Sequence, residues 1–339
     1  MDLPAHGAPL TTFHKWLAER PEEERQRPLS AGGRAHGGLI RWPLDGLTSP
    51  GVICYERAIG RLHAEKATLA PNEDAMRLIL HMEILPTAVA NAADHYLLVG
   101  PMGEARYWTV EEVARSFGIA ARSRLLSALV NPDAMTAVQA VECLGRGAHV
   151  GVVRRIIRSL VARGLLAKGA SYGSAFSGLD CVAAAMDDEL DGDWSYRFAS
   201  ERLPYARRGL LHAWGERGLK AERCYVEATS GPAVAEEKVD LWAITPSCEA
   251  FSKRNRGRSP DGQRAALSEI WKGLGYARTA SPRLILVENL AVPEVSEPLT
   301  GLLLRMEGYR VETATLDPRR LLGEPVARER RFWILRREA

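Results

Sequence analysis

Apolar residues recur with two different periods along the chain. From residue 173 onward, short apolar runs typical of strands alternate with longer segments of helical period. The predicted strands are Ser174–Phe176, Tyr196–Ala199, Arg223–Val226, Leu241–Ile244, Leu284–Val287, Arg310–Ala314 and Phe332–Leu335. The predicted helices between them are Cys181–Glu189, Tyr205–Trp214, Gln263–Leu274 and Pro298–Met306. This alternation predicts an α/β fold with a doubly wound, mostly parallel sheet, whose ligands bind beyond the carboxyl ends of the strands.

The first half of the chain shows a helical period in two places. Thr109, followed three residues later by Glu112, is a capping-box signature, and Gly118 can end the short helix that it opens. A longer amphipathic helix is predicted over 147–163, where five apolar residues follow helical spacing: Val150, Val153, Ile156, Ile157 and Leu160. Residues 60–100 have no clean period, so no element is predicted there.

Composition indicates a soluble globular protein of one large or two ordinary domains. The 339 residues are 46% hydrophobic and 26% charged. No apolar run reaches the roughly 20 residues of a membrane span. The N-terminus lacks the pattern of a signal peptide, so we expect a cytosolic protein. The five cysteines are far apart and form no CxxC pair, so neither disulfides nor a metal site is expected.

The distribution of charge is more informative than its sum. The formal net charge of +3 does not by itself predict a nucleic-acid partner. Basic residues nevertheless crowd two stretches, 253–264 and 319–337. Such clusters are either phosphate-binding surfaces or solvated charge, and either cluster taken alone is better explained as solvated surface.

Two segments have the features of a nucleotide-binding sheet edge. Gly178 lies in the turn after the first predicted strand, where glycine lets the backbone approach a ligand closely. Glu201 follows 23 residues later, at the end of the next strand, which suits a carboxylate that binds a ribose hydroxyl. Glu227, after the third strand, either receives an adenine amino group or is a solvated glutamate.

Chemically reactive residues follow the next two strands. Cys248 lies in the loop TPSCEAFSKRNRG, where nearby cations and backbone dipoles would favour its thiolate. A lone cysteine is otherwise more often an inert packed thiol. Glu288 and Asn289 follow the next strand, and a carboxylic acid there can act as a general acid. Arg328 and Arg330, two apart on an extended segment, point to the same side and suit a base carbonyl or a phosphate.

Together, these segments resemble the cytosine-5 DNA methyltransferases. TPSCEAF is similar to the family's prolyl-cysteine loop, VENL to its Glu-Asn-Val motif and PVARERRFWI to its Pro-Gln-x-Arg-x-Arg segment. AFSGLD and FASER resemble the two family segments that bind S-adenosylmethionine. The resemblance covers about residues 173–335, in the family order. Other residues replace the usual ones at six positions of these motifs: Asp180 (for glycine), Ser247, Glu249, Ala250, Leu290 and Val326.

The first half of the chain resembles the last two motifs of the same family. RYWTVEEVARSFGI is similar to the penultimate motif and LGRGAHVGVVRRIIRSL to the final one, with Arg146 in place of an asparagine. In most members these motifs follow the catalytic segments, so the resemblance implies a circularly permuted order. We therefore expect a target-recognition region at 1–100, relocated helices at 101–168, and a catalytic and cofactor-binding core at 169–339.

The resemblance implies transfer of a methyl group from S-adenosylmethionine to carbon 5 of a cytosine flipped out of double-stranded DNA, with S-adenosylhomocysteine as the other product. The implied catalytic residues are Cys248 as covalent nucleophile, Glu288, Asn289, Arg328 and Arg330. The implied cofactor-binding residues are Phe176, Ser177, Gly178, Leu179, Glu201, Glu227 and Pro246. The implied DNA contacts are Lys253, Arg254, Arg256 and Arg258. It further implies a metal-free monomer of a bacterium or phage.

Three alternatives stay open at this point. An RNA cytosine-5 methyltransferase would carry the same motifs. The altered catalytic loop is compatible with transfer of a group other than methyl. A relative that has lost activity would bind DNA without catalysis, although the retained nucleophile, acid and two arginines favour an active enzyme.

Overall fold

The computed structural model describes the backbone and side chains of residues 109–227, 238–252, 259–324, 326 and 328–338. It also gives the backbone of four strands nearer the N-terminus: β1 (Gly51–Arg57), β2 (Met76–His81), β3 (Tyr96–Val99) and β4 (Ala105–Tyr107). They form an antiparallel sheet in the order β2-β1-β3-β4. The sequence predicted no element here, because pairing between separate segments rather than a local period organises these strands.

Four helices follow: α1 (Val110–Arg115), α2 (Arg124–Val130), α3 (Ala137–Arg146) and α4 (Val150–Ala162). The predicted capping box opens α1. Thr109 Oγ1 accepts the backbone N–H of Glu112 at 3.2 Å, and Glu112 Oε2 accepts the N–H of Thr109 at 2.9 Å. Gly118, with φ +73°, stands in the turn after α1. The helix predicted over 147–163 is confirmed as α4, although it begins three residues later.

A seven-stranded sheet organises the second half of the chain. Its strands are β5 (Ala170–Ala175), β6 (Trp194–Ser200), β7 (Cys224–Tyr225), β8 (Leu241–Ile244), β9 (Leu284–Leu290), β10 (Tyr309–Leu316) and β11 (Arg330–Arg337). Their order is β10-β11-β9-β8-β5-β6-β7, and β5 to β9 are parallel. β11 is antiparallel to both of its neighbours. The strand order reverses between β5 and β8, which is where such sheets bind ligands. The predicted doubly wound, mostly parallel α/β sheet is confirmed.

In the described part of this half, five α-helices connect the strands: α5 (Cys181–Glu189), α6 (Pro204–Trp214), α7 (Pro260–Ala280), α8 (Pro293–Leu303) and α9 (Pro318–Leu322). The bounds predicted for α8 are wrong, because Pro293 takes the first-turn position at which proline is favoured, and Pro298 lies inside the helix. The predicted end of β9 is also wrong. Glu288 and Asn289 lie within the strand, since pairing with β11 extends it to Leu290. Among the described residues, no helix is long and apolar enough to cross a membrane.

Alternate side chains of the strands enter two hydrophobic cores, one on each face of the sheet. On one face Leu284 and Leu286 pack with α4, α5 and α6. On the other, Ile285 and Val287 pack with α7 and α8. The five apolar residues predicted to line α4 are all buried in the first core, each no more than 6% exposed. α4 packs against α5 and α9, so the helices that precede the sheet share one core with it.

Candidate active site

The turn after β5 and the end of β6 meet at the carboxyl edge of the sheet. Gly178 has φ +56°, and no atom of the described residues lies within 4 Å of the position that a Cβ would take there. Its N–H donates to Glu201 Oε2 at 2.8 Å, and the N–H of Leu203 donates to Glu201 Oε1 at 2.8 Å. The carboxylate is thus fixed beside an open glycine turn, and each oxygen keeps a lone pair for a hydroxyl donor. These features fit a ribose.

The residues before Gly178 tie this turn to neighbouring strands. Phe176 has φ +55°, and its carbonyl accepts the hydroxyl of Thr245 at 3.1 Å. The N–H and the hydroxyl of Ser177 both donate to the carbonyl of Ser200, at 3.0 and 3.1 Å. Leu179 is buried in the first core, where its side chain packs within the protein. The turn is therefore held to the ends of both β6 and β8.

Cys248 lies in the loop that follows β8. The thiol is half-buried, and the carbonyl of Cys248 accepts the N–H groups of Phe251 at 3.1 Å and Ser252 at 3.0 Å. These bonds close a 3₁₀ turn over Glu249–Phe251. Phe251 is fully buried in the second core and anchors the end of the turn. The loop therefore carries Cys248 at the carboxyl edge of the sheet, close in sequence to the anchored Phe251.

Asn289 joins the Cys248 loop to β9. Its side chain is fully buried, and its Nδ2 donates to the carbonyl of Pro246 at 3.3 Å. Its Oδ1 accepts the N–H of Leu290 at 2.8 Å. Because β8 and β9 are parallel neighbours, this contact fixes the backbone of the loop two residues before the thiol. The geometry suits a positioning role for Asn289, which the resemblance includes among the catalytic residues.

Glu288 is buried beside two arginines. Its Oε1 lies 3.0 Å from Arg330 Nε, and the two side chains are 7% and 11% exposed. Burial raises the pKa of the Glu288 carboxyl, while Arg330 and Arg328 oppose the shift. A raised pKa favours the protonated form of a carboxyl group, which a proton donor to a ring nitrogen requires.

Arg328 joins the C-terminal segment to the helices that precede the sheet. Its guanidinium donates to the carbonyl of Gly145 at 2.8 Å and to that of Gly147 at 2.6 and 3.1 Å. It also lies over the ring of Phe117, 4.9 Å from the centroid. Carbonyls at the end of α3 favour a cation. Sequence reasoning missed this contact, because no helix was predicted to end at Arg146 and the partners are far apart in the sequence.

Burial and several titratable neighbours shift the pKa of Arg328. Burial lowers the pKa of Arg328, and the adjacent Arg330 adds to this effect. Cys248, Glu288 and Cys181 act in the opposite direction. The 3.0 Å contact between Glu288 and Arg330 places the acid beside the segment that carries both arginines. Asn289, which follows Glu288 on β9, holds the loop of Cys248 at the same edge of the sheet. Glu288, Arg328 and Arg330 therefore form a buried cluster, and the Cys248 loop adjoins it.

His149 is a buried group at the start of α4 that the sequence did not single out. It is 2% exposed, and its ring stacks on that of Phe117 with 6.5 Å between centroids. Burial lowers its pKa to about 3, and Arg328 adds to the shift, whereas the backbone of Ser116 opposes it. The imidazole is therefore neutral in the folded protein at physiological pH.

Some predicted site residues are not brought into this cluster. Glu227 is exposed two residues beyond β7, and its adenine contact stays a prediction. The predicted DNA contacts lie outside the described residues: Lys253, Arg254, Arg256 and Arg258. Within the described ranges, no group of three or more His, Cys, Asp or Glu side chains is arranged to hold a metal ion.

Comparison with known proteins finds similarity to solved structures only. No family model matches the chain, and no curated protein matches it. The Dnmt2 methyltransferase of S. pombe is 21% identical with a TM-score of 0.37, over 50% of this chain and 51% of that one. TrmN from Thermus thermophilus is 15% identical with a TM-score of 0.37, over 72% and 57%. NSun6 from Pyrococcus horikoshii, solved with SFG, is 13% identical with a TM-score of 0.42, over 54% and 52%. The chain thus spans little more than half of the length of these three proteins.

Proposed function

We propose that this protein is an S-adenosylmethionine-dependent methyltransferase that acts on carbon 5 of cytosine in DNA. The observation that carries the proposal is the buried cluster of Glu288, Arg328 and Arg330, beside which Asn289 holds the loop of Cys248. A thiol that can act as a nucleophile and a carboxyl group with a raised pKa that can act as an acid are suited to addition to a pyrimidine ring. The motif resemblance supports the same chemistry.

The turn after β5 would hold the cofactor. Glu201 would accept hydrogen bonds from the ribose hydroxyls, and the open side of Gly178 would admit the ligand next to the backbone. The hydrogen bond from Thr245 to Phe176 keeps this turn next to the loop that carries Cys248. When bound, S-adenosylmethionine supplies the methyl group for carbon 5.

The side chains of the cluster would activate the base. The target cytosine must leave the duplex to reach them. The Cys248 thiolate would form a bond to carbon 6, and the ring electrons would move towards carbon 5 as Glu288 protonates ring nitrogen 3. After methylation, loss of the proton from carbon 5, departure of the thiolate and return of the proton from ring nitrogen 3 to Glu288 would restore the aromatic ring. Arg330 would keep Glu288 in place through their 3.0 Å contact.

Arg328 has a double role in this proposal. In the structure it donates to the carbonyls of Gly145 and Gly147. In the proposed reaction, the same guanidinium would also donate to the carbonyl oxygen of the base, as the resemblance implies.

RNA is the other candidate substrate, since these groups would act in the same way on a cytosine in RNA.

A mechanism-based trap tests the proposal. DNA containing 5-fluorocytosine should form a denaturant-stable complex with the wild type, because fluorine cannot leave carbon 5 as a proton. Cys248→Ser should form no such complex and should transfer no methyl group, while it binds S-adenosylmethionine within about threefold of the wild type. Cys224→Ser is the matched control, because Cys224 is also half-buried but lies on β7, and it should be trapped normally.

The same assay separates the possible substrates. Transfer of radiolabelled methyl groups to DNA but not to tRNA supports the proposal. Transfer to tRNA alone would make the protein an RNA methyltransferase. Full activity of Cys248→Ser would refute the covalent mechanism, and a wild type that binds DNA without binding S-adenosylmethionine would refute the enzymatic function.

A further inference from the structure

A buried network of polar groups lies beneath the turn after β5, and the proposed chemistry does not use it. At its centre is Asp180, which is 4% exposed and accepts the N–H of Ala183 at 2.9 Å at the start of α5. The hydroxyl of Tyr172, on β5, lies 2.8 and 2.9 Å from its two carboxyl oxygens. The hydroxyl of Tyr196, on β6, also contacts the carboxyl group. The family motif that this segment resembles has a glycine where this protein has Asp180. The network is therefore specific to this protein in comparison with the motif.

The network continues from Tyr196 to the cofactor side of the turn. The Tyr196 hydroxyl lies 2.6 Å from Ser174 Oγ, which in turn lies 2.6 Å from Ser177 Oγ. The hydroxyl of Ser177 donates to the carbonyl of Ser200 at 3.1 Å. Ser200 directly precedes Glu201. A continuous chain of oxygen atoms therefore connects Asp180 to the residue before the proposed ribose ligand.

The number of available protons determines which group donates in each hydrogen bond between Asp180 and the Ser200 carbonyl. The chain joins five pairs of groups, and the single proton of Tyr172 serves both of its contacts with the carboxyl group: Tyr172 with Asp180, Tyr196 with Asp180, Tyr196 with Ser174, Ser174 with Ser177, and Ser177 with the Ser200 carbonyl. Each pair needs one proton, and the four hydroxyl groups supply four. The fifth proton can come only from the carboxyl group of Asp180. With that proton in place, the donors run in one direction from Asp180 through Tyr196, Ser174 and Ser177 to the carbonyl.

The turn that this chain supports is conformationally strained. Phe176, Gly178 and Asp180 all have positive φ, at +55°, +56° and +62°. Residues other than glycine adopt this left-handed backbone conformation at a cost in free energy, although aspartate tolerates it better than most. Such a backbone persists only where surrounding contacts enforce it. The chain that begins at Asp180 supplies such contacts at both ends of the turn.

We propose that Asp180 is protonated and heads a directed hydrogen-bond chain that holds the turn in the form that presents Gly178 and Glu201 to the cofactor. The cofactor part of this inference rests on the proposed function. Burial raises the pKa of Asp180, in agreement with a protonated carboxyl group, although its polar neighbours Tyr196, Ala183, Ser174 and Tyr172 oppose the shift. Asp180 is thus a positioning residue, which acts on the cofactor through the turn.

Two substitutions at this position separate a protonated from an ionised aspartate. Asparagine has the shape of a protonated aspartic acid: its amide group can donate to Tyr196, and its oxygen can accept from Tyr172 and Ala183. It also tolerates positive φ. Asp180→Asn should therefore keep the chain intact, whereas Asp180→Ala breaks it. Tyr196→Phe breaks the chain at the next link while it keeps the packing of the ring.

Amide hydrogen exchange and cofactor binding are the measurements. Without cofactor, amides of residues 176–183 should exchange at least about tenfold faster in Asp180→Ala and Tyr196→Phe, as expected for loss of a buried hydrogen bond. The same variants should bind S-adenosylmethionine about tenfold more weakly, and their kcat at saturating cofactor should stay within about threefold. Asp180→Asn should match the wild type within about threefold in both measurements. Tyr309→Phe, which removes a tyrosine hydroxyl bonded to Pro282 instead, is the control for a general loss of stability.

Each outcome supports or overturns the proposal. If Asp180→Asn is as defective as Asp180→Ala, the aspartate acts as an anion and the proton assignment is wrong. If Asp180→Ala and Tyr196→Phe exchange like the wild type, the chain does not hold the turn. If Asp180→Ala does not fold, the contrast between Tyr196→Phe and Asp180→Asn decides the question. A wild type with a protected turn that binds no S-adenosylmethionine would refute the proposed function, while the exchange contrast would still decide whether the chain holds the turn.

Discussion

Removal of the residues before Ala170 tests whether the first half of the chain belongs to the catalytic core. A fragment of residues 170–339 keeps the seven-stranded sheet and the proposed catalytic residues, but it lacks α1 to α4. The permuted motif order predicts that this fragment cannot fold. An independent domain at 1–165 predicts that it can.

The free energy of stabilisation that the 170–339 fragment loses can be worked out from the burial of α4. Five of its side chains are each no more than 6% exposed in the core that they share with the sheet: Val150, Val153, Ile156, Ile157 and Leu160. Burial of a side chain of this type stabilises a protein by about 1.5–3 kcal/mol, so the five together contribute roughly 8–15 kcal/mol. A whole domain is usually stable by only about 5–15 kcal/mol. The fragment also loses Gly145 and Gly147, which leaves the buried guanidinium of Arg328 without two of its acceptors.

Calorimetry and near-ultraviolet circular dichroism on two fragments and the full chain are the assays. We expect the 170–339 fragment to be insoluble or molten, and a 100–339 fragment to fold and bind S-adenosylmethionine but to methylate DNA poorly. Within the full chain, Ile157→Ala should lower the free energy of unfolding by about 2–5 kcal/mol. Arg155→Ala, on the exposed side of the same helix, should change it by less than about 0.5 kcal/mol. Cooperative melting and normal cofactor binding by the 170–339 fragment would refute the reasoning.

Two further predictions concern the cofactor site and the pH dependence of stability. Glu201→Ala should weaken S-adenosylmethionine binding by about 1.5–3 kcal/mol, the usual value of hydrogen bonds to a charged group, and calorimetry should find no change for the exposed control Glu222→Ala. For His149, the folded-state pKa of about 3 lies below the ordinary 6.5, so the unfolded chain binds the proton first. The free energy of unfolding should therefore fall as the pH drops from about 6.5 towards 3, by up to about 1.4 kcal/mol per pH unit. His149→Asn should flatten this slope in denaturant titrations between pH 6 and 4; parallel slopes for the two proteins would contradict the assignment.

The sequence by itself determined those elements whose periods and ends are local. β8 at Leu241–Ile244 and α5 at Cys181–Glu189 have the predicted bounds, because apolar runs and helix caps are properties of neighbouring residues. The order of strands and helices also determined which edge of the sheet carries the chemistry. Cys248 could be placed at that edge from the sequence, since loops at the carboxyl ends of parallel strands meet there, whereas Glu288 was expected in such a loop and lies inside β9.

Only the tertiary structure decided which distant residues touch. Pairing with β11 extended β9 through Glu288 and Asn289, and pairing between separate segments created the N-terminal sheet that no local period announced. Arg328 donates a hydrogen bond to the carbonyl of Gly147, which lies 181 residues earlier in the sequence. Asp180, in sequence only a replacement for a glycine, lies between tyrosines of two strands. Hydrogen-bond partners and burial depend on contacts between segments far apart in the chain, and a periodic pattern of neighbouring residues carries no information about them.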